Sequence, residues 1–191
     1  EAVLRGGLFH GGQIWVNLPT SLKWSKPRYQ DIPGRKLKLL ASHDGNSIIR
    51  VIAGEIDGNF GPGITHTPIS IVHASVSPGS SLIAPWNPTF NAIGYVLAGN
   101  GHAGEERARV YAGQAIQFGH GDFVKVSASM VQDSRSDDLE LLILGGQPIR
   151  EPIAWQGPFV MNTRQELMNA FEDYQKGKLG IIPAENNVPH K

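Results

Sequence analysis

Histidine is the first residue type to examine for chemistry in this chain, because it is the commonest metal ligand and titrates near neutral pH. A transition-metal site needs nitrogen and oxygen donors about 2.0–2.2 Å from one ion. A His-x-His pair on a strand supplies two donors together, since side chains return to the same face every second residue. Seven histidines are present, and no two of them form His-x-His. His66 and His73 fall on one expected strand, Thr67–Val76 and its approach. Their odd spacing puts them on opposite faces, and at ~3.3 Å per residue they stand about 23 Å apart. They cannot share an ion. His102 and His120 lie in glycine-rich stretches, where a solvated turn histidine is the plain expectation. No metal or cofactor site is expected from this chain alone.

Other constellations are no stronger. There is no Gly-x-Ser-x-Gly elbow to present a nucleophilic serine. Gly99-Asn100-Gly101-His102-Ala103-Gly104 matches G-x-G-x-x-G, but a dinucleotide site needs that run to open a long helix. Here Glu105–Tyr111 leads into an alternating strand, so a hairpin loop is expected. Asp137-Asp138 and Glu105-Glu106 are adjacent pairs in loops. Sequence neighbours do not face each other, and solvated turns account for both. No catalytic residue is assigned.

Composition narrows the class. The chain has 191 residues, enough for one sizeable core or one domain and part of another. Seventeen basic and seventeen acidic residues cancel. No block of like charge suggests a nucleic-acid groove or an anionic membrane surface. No apolar stretch approaches the roughly 20 residues of a membrane span. With no cysteine, disulfides, thiolate zinc sites and cysteine nucleophiles are excluded. The first residues, Glu1 onward, carry no basic stretch with an apolar run behind it, so they do not read as a signal peptide. The chain reads as entered partway through a domain. A soluble cytoplasmic protein is expected, with nuclear placement open.

The elements that must position these residues are mostly strands. Glycine stands at 23 of 191 residues, against a usual share of roughly 7%. With 13 prolines among short apolar runs, that favours strands and tight turns. Residues 13–18 predict a strand stopped by Pro19, with Trp15 packed in the core. Lys36–Leu40 and Ser47–Ile52 flank the turn Asp44-Gly45-Asn46. Thr67–Val76, Ser80–Ile83, Asn91–Leu97, Arg107–Tyr111, Gln114–Phe118 and Phe123–Ser127 follow. Leu139–Leu144 is apolar on both faces and predicts a central strand. This spacing is that of an antiparallel sandwich or barrel. One helix is predicted, at about 163–176. Thr163-Arg164-Gln165-Glu166 is a capping box, and Leu167, Ala170, Phe171 and Tyr174 form one stripe. Gly177 stops it, and the tail after Pro183 reads as loose.

Three segments, taken together, resemble the pirin family, a two-lobed branch of the cupins. They are Gly11-Gly12-Gln13-Ile14-Trp15-Val16-Asn17-Leu18-Pro19 with Pro27-Arg28-Tyr29-Gln30, then Pro148-Ile149-Arg150-Glu151-Pro152-Ile153, then Gly157-Pro158-Phe159-Val160-Met161-Asn162-Thr163 before the helix. The resemblance implies a cupin-type antiparallel β-sandwich or barrel (a double-stranded β-helix) with one C-terminal helix. It implies residual closing strands of an N-terminal lobe and a linker over 1–30, a C-terminal cupin lobe over 31–147, and an arm over 148–191. It also implies an iron held by three histidines and a glutamate, on a His-x-His and a His-x-Glu pair upstream of the Gln13–Pro19 run in a region this chain is expected to begin just after, so none of the four ligands is carried over onto this chain. Where a cupin lobe usually has its own His-x-His, this chain has Ala84-Pro85-Trp86. Trp86, His66 and His120 are the candidate pocket-rim residues of the C-terminal lobe.

Two functions follow from the resemblance. One is a metal-free scaffold or protein-interaction module, since pirins are described as transcriptional co-regulators and as partners of metabolic enzymes. The other is part of an iron-dependent quercetinase-type dioxygenase, with iron and the flavonol substrate belonging to the full-length protein. A protein partner or a homodimer is expected, the latter through residues 1–20 or the C-terminal helix. No direct nucleic-acid or membrane contact is expected.

Overall fold

The computed structural model of the chain describes residue 6 and residues 11–180. Its elements are the strands β1 (Lys38–Ala41), β2 (Ser47–Ala53), β3 (Glu55–Ile56), β4 (Asn59–Phe60), β5 (Ile69–Val76), β6 (Ser81–Pro85), β7 (Asn91–Ala98), β8 (Asn100–Ala103), β9 (Ala108–Tyr111), β10 (Ala115–Gln117), β11 (Phe123–Ala128), β12 (Leu139–Gly146), β13 (Ala154–Gln156) and β14 (Phe159–Met161), and one helix, α1 (Arg164–Gln175). The chain divides into two compact units. Among the described residues, one comprises 11–25 with Glu151–Leu179, and the other Lys26–Arg150.

The larger unit is two antiparallel sheets, a six-stranded one in the order β1-β2-β5-β12-β7-β10 and a four-stranded one in the order β6-β11-β8-β9. Alternation builds it. In β2, Ser47, Ile49, Val51 and Ala53 are buried while Ile48, Arg50 and Ile52 are not. β5, β6, β7, β11 and β12 repeat the pattern. The inward Val, Ile and Leu residues form one core, including Val51, Val72, Val76, Val96, Leu139 and Ile143, all fully buried. Each such side chain removed from water contributes about 1.5–3 kcal/mol. As expected, β12 is central, paired with β5 on one side and β7 on the other.

The hairpin turns carry their own chemistry. Between β1 and β2 the Asp44 carboxylate accepts from the Ser42 hydroxyl and the Asn46 amide, and these bonds hold its pKa below the ordinary value. Between β3 and β4, Asp57 and Gly58 both take positive φ, 50° and 71°, as a two-residue type I′ turn requires.

Several expectations are corrected. Residues 13–18 form no strand; among the described residues no strand pairs with them, and a strand without a ladder is not stable in water. Trp15 is accordingly 62% exposed rather than packed. His102 is not in a turn: it lies on β8, which pairs with both β9 and β11. The β3–β4 and β13–β14 hairpins were not anticipated. The expected tail beyond Pro183 lies outside the described residues.

The smaller unit is the β13–β14 hairpin, α1 and the segment around the 3-10 turn Thr20–Leu22. The helix starts as predicted. Thr163 Oγ1 accepts the Glu166 amide at 3.2 Å, and the Glu166 carboxylate accepts the Thr163 amide at 2.8 Å. Gly177, at φ 68°, ends it in the left-handed conformation. Leu167, Ala170 and Met161 are buried together. Phe159 meets Phe171 edge-on at 4.8 Å and Tyr174 at 6.0 Å.

Candidate functional site

The interior of the two-sheet unit is where a sheet-built shell would hold a ligand. Ala84 and Trp86 sit two residues apart and both face inward, 1% and 6% exposed. The Trp86 backbone amide donates to Asp122 O at 2.7 Å, and its indole Nε1 reaches Asn91 O at 3.4 Å. Gly145 makes room for the indole: a Cβ there would stand 2.7 Å from Trp86 Cζ2 and 1.9 Å from Asn91 O. The remaining inward positions on these strands are Val, Leu, Ile, Ala and Gly, with Ser47 and Ser70 as polar exceptions. Ser70 Oγ donates to Glu55 O at 3.1 Å, while Ser47 Oγ has no partner among the described residues. Among the described residues no group of three or more His, Cys, Asp or Glu could hold a metal ion. The donors an iron would need are absent from the inward positions, so the residues present do not fit that ion.

The three candidate rim residues end apart in character but near in topology. The registers Gly146 with Ile69 and Asn91, and Phe123 with Pro85, bring the loops of His66, Trp86 and His120 to one end of the shell. His66 lies in a bend before β5 rather than on it, and it is exposed. His120 is exposed in the bend before β11. Trp86 fills the core.

The histidine with close partners is His73, on the face of the six-stranded sheet turned away from the core. Arg50 Nη1 is 3.1 Å from its Nδ1 and also donates to Ser75 Oγ at 3.1 Å. Glu140 Oε2 is 3.8 Å from Nε2, and Ser136 Oγ donates to the other Glu140 oxygen at 2.9 Å. Burial, then the Arg50 charge, push the His73 pKa below its ordinary value, and Glu140 opposes them. Since a guanidinium can only donate, His73 Nδ1 accepts from Arg50. On the other sheet, His102 stands between Arg109 and Ser127 in register. The G-x-G-x-x-G run forms β8 and its turn into β9, with no helix following.

A second polar cluster, in the smaller unit, was missed. The Glu151 carboxylate accepts three hydrogen bonds at one oxygen: the Thr20 amide at 2.7 Å, the Thr20 hydroxyl at 2.6 Å and Asn162 Nδ2 at 2.9 Å. The bonds from Thr20, first its hydroxyl, lower the Glu151 pKa. Lys23 Nζ donates to Asn17 Oδ1 at 2.7 Å and to Val160 O at 2.9 Å. Burial lowers the Lys23 pKa, against the nearby Glu151 and Glu166 charges. The Glu166 carboxylate also accepts the Asn162 amide at 3.0 Å. Expected only as half of an ion pair with Arg150, Glu151 instead joins segments 131 positions apart. Asn17, Glu151 and Asn162 come from the three separated motifs; their sharing of one cluster was not visible as spacing.

Comparison with known proteins defines the class. The model of the pirin C-terminal cupin domain matches residues 71–180. The chain is 35% identical to a pirin-like protein of Solanum lycopersicum, over 92% of this chain and 58% of that protein. It is 31% identical to human pirin, over 92% of this chain and 59% of that protein. A crystal structure of quercetin 2,3-dioxygenase from Acinetobacter baumannii superposes with a TM-score of 0.76 at 31% identity, covering 88% of this chain and 56% of that one. The fold is a cupin, mainly antiparallel β. The chain belongs to the pirin family, and it spans just under three fifths of the length of the curated relatives it matches. No helix among the described residues is long and apolar enough to cross a membrane.

Proposed function

We propose that this chain is a scaffold: a cupin lobe with an apolar interior, and a smaller unit that docks a protein partner. One observation carries the reading. The inward positions hold aliphatic side chains and Trp86 where ligands would stand, while large apolar side chains stand outside in the smaller unit. Trp15, Trp24, Ile153, Trp155, Met168 and Tyr174 are 53–72% exposed. Large apolar side chains left in water offer surface for a protein partner to bury. The co-regulator and enzyme-partner roles suggested by the family are both of this kind.

A second reading is favoured by the likeness to quercetin 2,3-dioxygenase. In it the chain is the supporting lobe of an iron-dependent dioxygenase, with iron and flavonol chemistry placed on residues outside those present. Elemental analysis after anaerobic iron loading, with quercetin turnover followed by absorbance, tests the scaffold reading. We expect only substoichiometric iron and no turnover from the 191-residue chain. A stoichiometric iron, or turnover above the free-metal background, overturns it.

A further inference from the structure

One aromatic side chain sits in a notch that the sheet leaves open for it. Trp86 follows the last residue of β6, yet its indole joins the core of the larger unit and is 6% exposed. Farther along β12 the inward positions are Leu141 and Ile143. Beside the indole the position is Gly145, and the small Ala92 pairs with it on β7. A Cβ at Gly145 would stand 2.7 Å from Trp86 Cζ2, so the glycine gives the ring its room. The Trp86 backbone is pinned, its amide donating to Asp122 O at 2.7 Å. The indole contact is longer: Nε1 lies 3.4 Å from Asn91 O, outside the usual range of about 2.7–3.2 Å.

We infer that this end of the larger unit is a pocket for a flat, uncharged heteroaromatic ring bearing an N–H, and that Trp86 closes it in this chain. The pocket rests on the scaffold reading and explains it: the interior is closed to ligands because the chain supplies its own ring. The missing side chain of Gly145 leaves a slot for the plane of a bicyclic ring, and the Asn91 carbonyl meets the N–H. Charged rings are excluded, because the apolar side chains of the core would leave a charge unpaired. A tethered indole outcompetes a dissolved ring, since seating it costs no translational freedom. Trp86 is thus a specificity-determining residue, and its size decides whether the lobe admits an aromatic ligand.

Removing the indole from the whole chain tests this. Trp86→Gly should take up indole, measured by calorimetry, as dry apolar cavities in other proteins take up benzene. Its affinity should exceed that of the native chain by at least about tenfold. Benzofuran has the same outline without the N–H and should bind about fivefold more weakly, for want of one hydrogen bond. Indole should also raise the hydrogen-exchange protection of β12 amides in the variant, which places the ring beside Gly145 rather than on the exposed tryptophans. Should Trp86→Gly fail to fold alone, indole should restore its near-ultraviolet circular dichroism, and Trp86→Ala carries the binding test. Iron content reports on the scaffold reading and ring uptake on the pocket, so each can fail alone. A folded variant that takes up indole no better than the native chain overturns the proposal. So does uptake without a change at β12, and so does benzofuran binding as tightly as indole.

Discussion

The two units hold themselves together by different means. In the larger one, the core is made by period-two alternation on long strands, and the polar groups are pushed outward. In the smaller one, the buried apolar cluster is little more than Met161, Leu167 and Ala170, and cohesion comes from charged and amide groups converging on Glu151, Lys23 and Glu166. A sheet core tolerates the loss of one polar contact. A cluster in which each member satisfies another does not, because removing one leaves its partners unsatisfied. Of the motifs that mark the family, residues 11–19, 151–153 and 157–163 fall in the smaller unit, while residues 27–30 and 148–150 lie in the larger one.

The sharpest way to test the contrast is Leu141→Ala. Leu141 is 1% exposed in the central strand, and the cavity left there should cost about 2–5 kcal/mol. Urea unfolding followed by circular dichroism should show the loss in the sheet signal, and a cost below about 1 kcal/mol would mean that the core collapses around the gap.

Glu151→Gln comes next and should act on the other unit alone. Protection of α1 amides in hydrogen exchange should fall while that of β5 and β12 is unchanged. The pH response follows from the lowered carboxylate pKa: the stabilisation is present above the ordinary value of 4.5 and is lost as pH falls through the lower folded value. The native chain should therefore lose helix protection on acidification below that range, and the Gln variant should lose less. Equal effects in both units would break the comparison.

The smallest expected change is Thr163→Ala. Removing an N-cap hydroxyl costs about 1 kcal/mol, and fraying should be confined to the first turn of α1, seen in the exchange of the Glu166 amide.

The sheet unit was legible because its signals are local. Alternation in Ser47–Ala53, the Asp44-Gly45-Asn46 turn and the doubly apolar Leu139–Leu144 each specify structure within a few residues. The capping box was legible for the same reason. Asp57-Gly58 is a type I′ dipeptide, but the strands it joins are only two residues long and leave no alternation to read. Residues 13–18 misled because β-branched and aromatic types report fitness for a pleated surface, not the presence of a neighbour to pair with. Glu151 was invisible because nothing near it in sequence announces Thr20 or Asn162 as partners. Trp86 was ambiguous for want of Gly145, whose missing side chain decides where the indole goes.

The bond from Thr20 to Glu151 also has a temporal meaning. During synthesis the first of these residues leaves the ribosome long before the second, and the sheet-forming stretch emerges between them. Closing a long disordered loop is entropically unfavourable and slow, whereas a folded insert shortens the search. The smaller unit is therefore the late-assembling one, because Thr20 is synthesised before the sheet unit and its partner Glu151 after it.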